Sequence, residues 1–105
     1  MKQYLLVLTT TPDRMSAQKL AKQLVKERLA ACATLSSACQ SFYWWQGKIS
    51  KDREYMLFIK TKSSLFSRLE KRISALHPYQ FPEIISLPIS KGSANYLAWI
   101  DKETA

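Results

Sequence analysis

An α+β sandwich, with helices covering one side of an antiparallel sheet, is the fold class that this 105-residue sequence predicts. Three features point to it. Short apolar runs bounded by turn residues occupy positions 3–9 and 83–89, two stretches repeat their apolar residues every three to four positions, and positions 31–61 alternate with the period of two that belongs to strands. In order the elements read βαββαβ, the ferredoxin-like split βαβ arrangement, with one added C-terminal helix. The length fits a single domain over 1–105, because a second core would need more chain.

Positions 3–9 are too few for a free-standing helix and form a buried strand, closed by Thr10, Thr11, Pro12 and Asp13. Thr11 is placed as the N-cap of the next helix. Pro12 suits the first helical position, where its missing N–H costs nothing, and Asp13 complements the helix dipole. Ala17, Leu20, Ala21, Leu24, Val25 and Arg28 with Leu29 then recur at helical spacing opposite Lys19, Lys22 and Lys26, which carries the helix to about Leu29. A long hairpin fits 31–61, with a polar break at Ser36 and Ser37 and a turn at Ser50, Lys51 and Asp52. In its returning arm Tyr55, Leu57 and Ile59 take one face, and Met56 and Phe58 take the other between Glu54 and Lys60. Ser63 or Ser64 caps a second helix with the apolar stripe Leu65, Phe66, Leu69, Ile73 and Leu76, and Pro78 ends it. The last strand, 83–89, aligns Ile85, Leu87 and Ile89, and Ser93 opens an amphipathic helix to about Lys102.

One-sided helices leave the other face of the sheet uncovered, stranding Met56, Phe58 and one of Trp44 and Trp45 in water. Association into a closed homo-oligomer would cover them and pair exposed strand edges. Sixteen Lys and Arg against eight Asp and Glu give a net charge of +8, which attracts anions of any kind. The 47% hydrophobic and 23% charged content excludes a disordered chain. Cys32 and Cys39 are too few for the disulfide framework of a secreted domain and read as reduced thiols. With neither a secretory leader nor a bilayer-length apolar run, cytoplasmic residence with no membrane partner is the expectation.

Gly47 and Gly92 are the only glycines, so no phosphate-cradling loop can form, which excludes Walker ATPases, kinases and Rossmann dehydrogenases. One histidine and two widely spaced cysteines cannot build a zinc centre within one chain. The odd separation of Cys32 and Cys39 puts them on opposite faces of an unbroken strand, an assignment that a bulge near Ser36 would change. His77, just before Pro78, either bonds the last helical carbonyls or acts as a ligand. Glu83, after Pro82, is either a solvated strand-end charge or part of the same cleft as His77. Tyr43, Trp44 and Trp45 alternate across a strand and either pack an oligomer interface or stack on a planar ligand. Lys60 is either a surface lysine or the partner of a buried carboxylate or an anion. Nucleic acid is not an expected partner, because the glycine–aromatic signature of an RNA-binding sheet is missing and the basic residues fall mostly on helices. The phosphate loop of small phosphatases on this topology is missing too.

Several motifs occur together in order: Thr11-Pro12-Asp13, the run from Leu29 through Cys32 to Leu35, Ser41-Phe42-Tyr43-Trp44-Trp45-Gln46-Gly47-Lys48-Ile49, Ile59-Lys60-Thr61, His77-Pro78-Tyr79-Gln80-Phe81-Pro82-Glu83-Ile84 and Tyr96-Leu97-Ala98-Trp99-Ile100. By these the chain resembles the CutA family, named for divalent-cation tolerance. The resemblance implies a homotrimer of PII-like architecture with intersubunit strand pairing and a non-enzymatic role in divalent metal ion tolerance. It also implies intersubunit clefts that bind a metal ion, chiefly copper, or a small anion. The site it implies comprises Tyr43, Trp45, Lys60, Tyr79 and Glu83, with His77 as the metal ligand and no catalytic residues. Family members proposed to bind copper carry a cysteine and a second histidine where this chain has Thr9 and Leu76. Thiolate and paired imidazole are what favour copper, so copper is expected to bind weakly and not as an obligatory cofactor. A trimeric scaffold or signalling module with a protein partner is the alternative function.

Overall fold

The computed structural model describes residues 3–105. Its elements are β1 (Tyr4–Thr11), α1 (Arg14–Lys26), β2 (Cys32–Leu35), β3 (Cys39–Trp45), β4 (Lys48–Lys62), a 3-10 turn (Ser63–Leu65), α2 (Phe66–Leu76), β5 (Ile85–Pro88) and α3 (Ala94–Glu103). Every pairing is antiparallel in the order β2-β4-β1-β5, and β3 pairs with the other end of β4. β1 and β2 therefore run parallel with β4 between them, as the split arrangement requires.

The core lies between one face of the sheet and the first two helices. Leu5, Val7, Leu57 and Ile59 meet Leu20 and Leu24 of α1 and Leu69 and Ile73 of α2. Burying each of these side chains contributes roughly 1.5–3 kcal/mol. The opposite face carries Leu6 and Leu8, Met56 and Phe58, and Ile85 and Leu87 in adjoining registers. None of these six is fully buried. α3 is fastened at the far end of the sheet by the fully buried Ile100 and by ion pairs from Arg28 to Glu103 (2.7 Å) and from Lys62 to Asp101 (3.5 Å).

Local signals were displaced in several places. Asp13, not Thr11, caps α1: its carboxylate accepts the Ser16 N–H at 2.7 Å, so Pro12 precedes the helix. Thr11 stays in β1, and its hydroxyl donates to the Asp13 carbonyl at 3.1 Å. α1 ends at Lys26, and Arg28, at φ +62°, turns the chain so that Leu29 enters the core from outside the helix while Val25 stays exposed. Ser63 and Ser64 begin the 3-10 turn instead of capping α2, whose last residue, Leu76, is exposed. The final strand is shorter than expected, and Glu83 lies ahead of it.

The hairpin turns at Gln46 and Gly47, not at Ser50 to Asp52. Both turn residues have positive φ, +50° and +78°, as a two-residue type I′ loop needs to match the twist of its strands. Ser50, Lys51 and Asp52 pair instead with Tyr43, Phe42 and Ser41. The first arm bulges: between the pairs Leu35–Leu57 and Cys39–Glu54 it advances four residues while β4 advances three. Ser36 bridges the break, because its hydroxyl accepts the Met56 N–H at 2.9 Å, where a ladder carbonyl would otherwise serve, and donates to the Ser37 carbonyl at 2.7 Å. Cys32 therefore sits opposite Lys60 and Cys39 opposite Glu54, on the same side of β4. The projecting hairpin stretches the molecule to 44 Å and its radius of gyration to 14.3 Å, against about 13 Å for a compact chain of this length.

Candidate functional site

Between α2 and β5 the chain folds back against the base of the hairpin and encloses a cleft of about 680 Å³. β3 contributes Ser41, Tyr43 and Trp45, which strand alternation places on one side, together with Phe42, and β1 and β4 contribute Thr10 and Glu54. The returning segment supplies Pro78, Tyr79, Gln80, Phe81 and Glu83. Of the residues expected at the site, Tyr43, Trp45, Tyr79 and Glu83 meet here. Glu54, Thr10 and Phe81 belong to it as well, and sequence reasoning did not single them out. The signal for Glu54 was a lone acid in register with Met56 and Phe58 on an apolar arm.

Two contacts anchor the returning segment. The Tyr79 hydroxyl donates to the Glu54 carboxylate at 2.9 Å, and Glu54 is itself 93% buried. Burial, reinforced by that bond, raises the ionisation of Tyr79 well above the usual phenol range. Tyr43 donates to the Asp52 carboxylate, which raises its ionisation too. His77 provides the second anchor. Its Nε2 lies 2.6 Å from the Thr10 carbonyl and must carry the proton, because a carbonyl only accepts, while Nδ1 accepts the Tyr79 N–H at 3.1 Å.

Lys60 does not line this cleft. It stands six residues along β4 from Glu54, about 20 Å away at strand rise, with its Nζ 3.9 Å from Cys32 Sγ. Among the described residues the charged members of the lining are consequently Glu54 and Glu83, with no lysine or arginine. The positive charge lies elsewhere. Five basic residues and one acidic residue over positions 14–28, with three basic and one acidic over 63–76, account for +6 of the net +8.

A copper ion at His77 does not fit this geometry, because both ring nitrogens already hold hydrogen bonds. Thr9 is fully buried beside the core residues of β1, and Leu76 is exposed at the end of α2. Among the described residues no group of three or more His, Cys, Asp or Glu is arranged to hold a metal ion.

Fold and cleft together define a small α+β domain with a ligand-sized recess beneath a projecting hairpin. The chain belongs to the CutA1 divalent ion tolerance family, whose model matches residues 5–103. A divalent-cation tolerance protein CutA of Thermus thermophilus is 45% identical over 98 residues, which is 93% of this chain and 95% of that one. Chloroplastic CutA of Arabidopsis thaliana is 42% identical over 100 residues, 95% of this chain but 55% of that longer one. The solved Thermus thermophilus structure superposes with a TM-score of 0.95 at 43% identity, covering 97% of this chain and 99% of its own. CutA1 of Oryza sativa gives 0.96 at 38% identity, covering 98% and 94%.

Proposed function

We propose that this protein is a non-enzymatic homotrimer of PII-like architecture that contributes to divalent ion tolerance by binding a small cation in its cleft. The observation that carries this reading is the sign of the lining, which among the described residues includes Glu54 and Glu83 and no lysine or arginine. A small anion, the other ligand suggested by resemblance, would meet two carboxylates there. Trimer assembly is supported by the surface left over. The chain exposes 7064 Å², about 1,000 Å² more than the roughly 6,000 Å² expected for its mass, and Phe42, Trp44 and Ile49 together line one side of the hairpin. Two free thiols support a reducing, cytoplasmic setting, and no helix of the described residues is long and apolar enough to cross a membrane. One relative, from Archaeoglobus fulgidus, is described as periplasmic.

Native mass spectrometry with calorimetric titration tests the reading. The expected species has three times the 12.1 kDa chain mass, and cations, organic or metallic, should bind in a manner weakened by Glu83→Gln. Binding of phosphate at the cleft with no cation uptake would overturn the cation assignment, and a monomer would overturn the trimer. The basic helical layer favours a second role, as a scaffold or signalling module for an acidic protein partner, whose capture by that layer should weaken steeply with salt.

A further inference from the structure

Building on the cation reading and resting on it, we propose that the cleft selects an organic ammonium ion over a bare metal ion. Size is the first argument. A recess of about 680 Å³ lies in the range of small-molecule sites, whereas a metal ion needs a compact shell of donors that the described residues do not assemble. The walls are the second. Phe42, Tyr43, Trp45, Tyr79 and Phe81 bring five aromatic residues to a recess whose charged groups are carboxylates, and aromatic faces attract ammonium groups through the ring quadrupole.

Glu54 supplies the third argument. Its buried carboxylate lines the cleft, its partner is the Tyr79 hydroxyl, and among the described residues no lysine, arginine or histidine forms an ion pair with it. A buried carboxylate without a counter-charge is costly, so an arriving ammonium provides what the chain lacks. Glu83, at the exposed rim, adds a second negative charge. An alkylammonium has the matching form, a cationic head for the carboxylates and apolar carbon for the rings.

Tryptophan fluorescence and calorimetry on the full chain test this with four probes: choline, putrescine, the uncharged choline isostere 3,3-dimethylbutan-1-ol, and zinc or cupric ions. At least one ammonium should saturate the protein, with the uncharged isostere weaker by about tenfold or more. Glu83→Gln and Trp45→Ala should each weaken it by about tenfold while circular dichroism and native mass stay unchanged. Stronger binding of choline than of putrescine would assign selectivity to the rings, and the reverse order to the carboxylates. Metal binding that depends on Glu83, with neither ammonium binding, would overturn this proposal and leave the cation reading standing. Failure of every cation would overturn both.

Discussion

β4 passes through two environments. From Glu54 onward it lies under the helices, with Leu57, Ile59 and Thr61 fully buried, whereas from Lys48 to Arg53 every residue is exposed or nearly so. Its partner β3 leaves Phe42 at 65% and Trp44 at 73% exposure. One hydrogen-bonded ladder thus joins a segment held by packing to a segment held by pairing and its turn. The difference separates the tasks: the packed end supplies stability, the bare end supplies surface, and the cleft opens at Glu54, where they meet.

Leu57→Ala tests the packed end most severely. It should lower stability by about 2–5 kcal/mol in urea denaturation, because it leaves a cavity among fully buried neighbours. Tyr79→Phe, at the junction, should cost about 1–3 kcal/mol by leaving the buried Glu54 carboxylate without a donor. That variant should also change the alkaline limb. Tyr79 ionises at higher pH in the folded chain than in the unfolded one, so above about pH 10 the folded state binds the extra proton. This group should therefore add no pH dependence to stability below that pH and make stability fall above it, and the fall should be smaller in Tyr79→Phe.

Thr9→Val should act in the opposite direction. The Thr9 hydroxyl is buried without a hydrogen-bond partner, and an isosteric methyl group should gain about 1 kcal/mol in the same denaturation measurement. The smallest effect belongs to the bare end. Trp44→Ala should change protomer stability by less than about 0.5 kcal/mol, with any larger loss confined to assembly and therefore dependent on protein concentration. A loss at Trp44 that matched Leu57→Ala at every concentration would break the comparison.

The packed end was far more legible in sequence than the bare one. Leu20, Leu24, Leu57, Ile59, Leu69 and Ile73 lie where their periods place them, because burial on one face is what creates a period. In the solvated arm that constraint disappears, so Ser50, Lys51 and Asp52 imitate a turn while standing in a strand, and the actual turn is marked by Gly47 alone. At the site, the family resemblance singled out Tyr43, Trp45, Tyr79 and Glu83, and strand alternation explains why Tyr43 and Trp45 share a side. Lys60 stands apart from the cleft formed within one chain because its strand is 15 residues long and Glu54 lies six residues away along it. Glu54 went unnoticed because its significance depends on Tyr79, 25 residues away.

The one-residue bulge beside Ser36 also governs how this molecule could tolerate insertion and deletion. Removing one of the three residues between Leu35 and Cys39 would leave two against the two of β4, so the ladder would close without a bulge and the pairs from Cys39–Glu54 to Trp45–Lys48 would keep their partners. Tyr43 and Trp45 would stay on the cleft side. The change would fall on Ser36, whose hydroxyl now accepts the Met56 N–H in the break. A lineage could thus shorten the chain by that one residue with its hairpin register and its recognition chemistry intact.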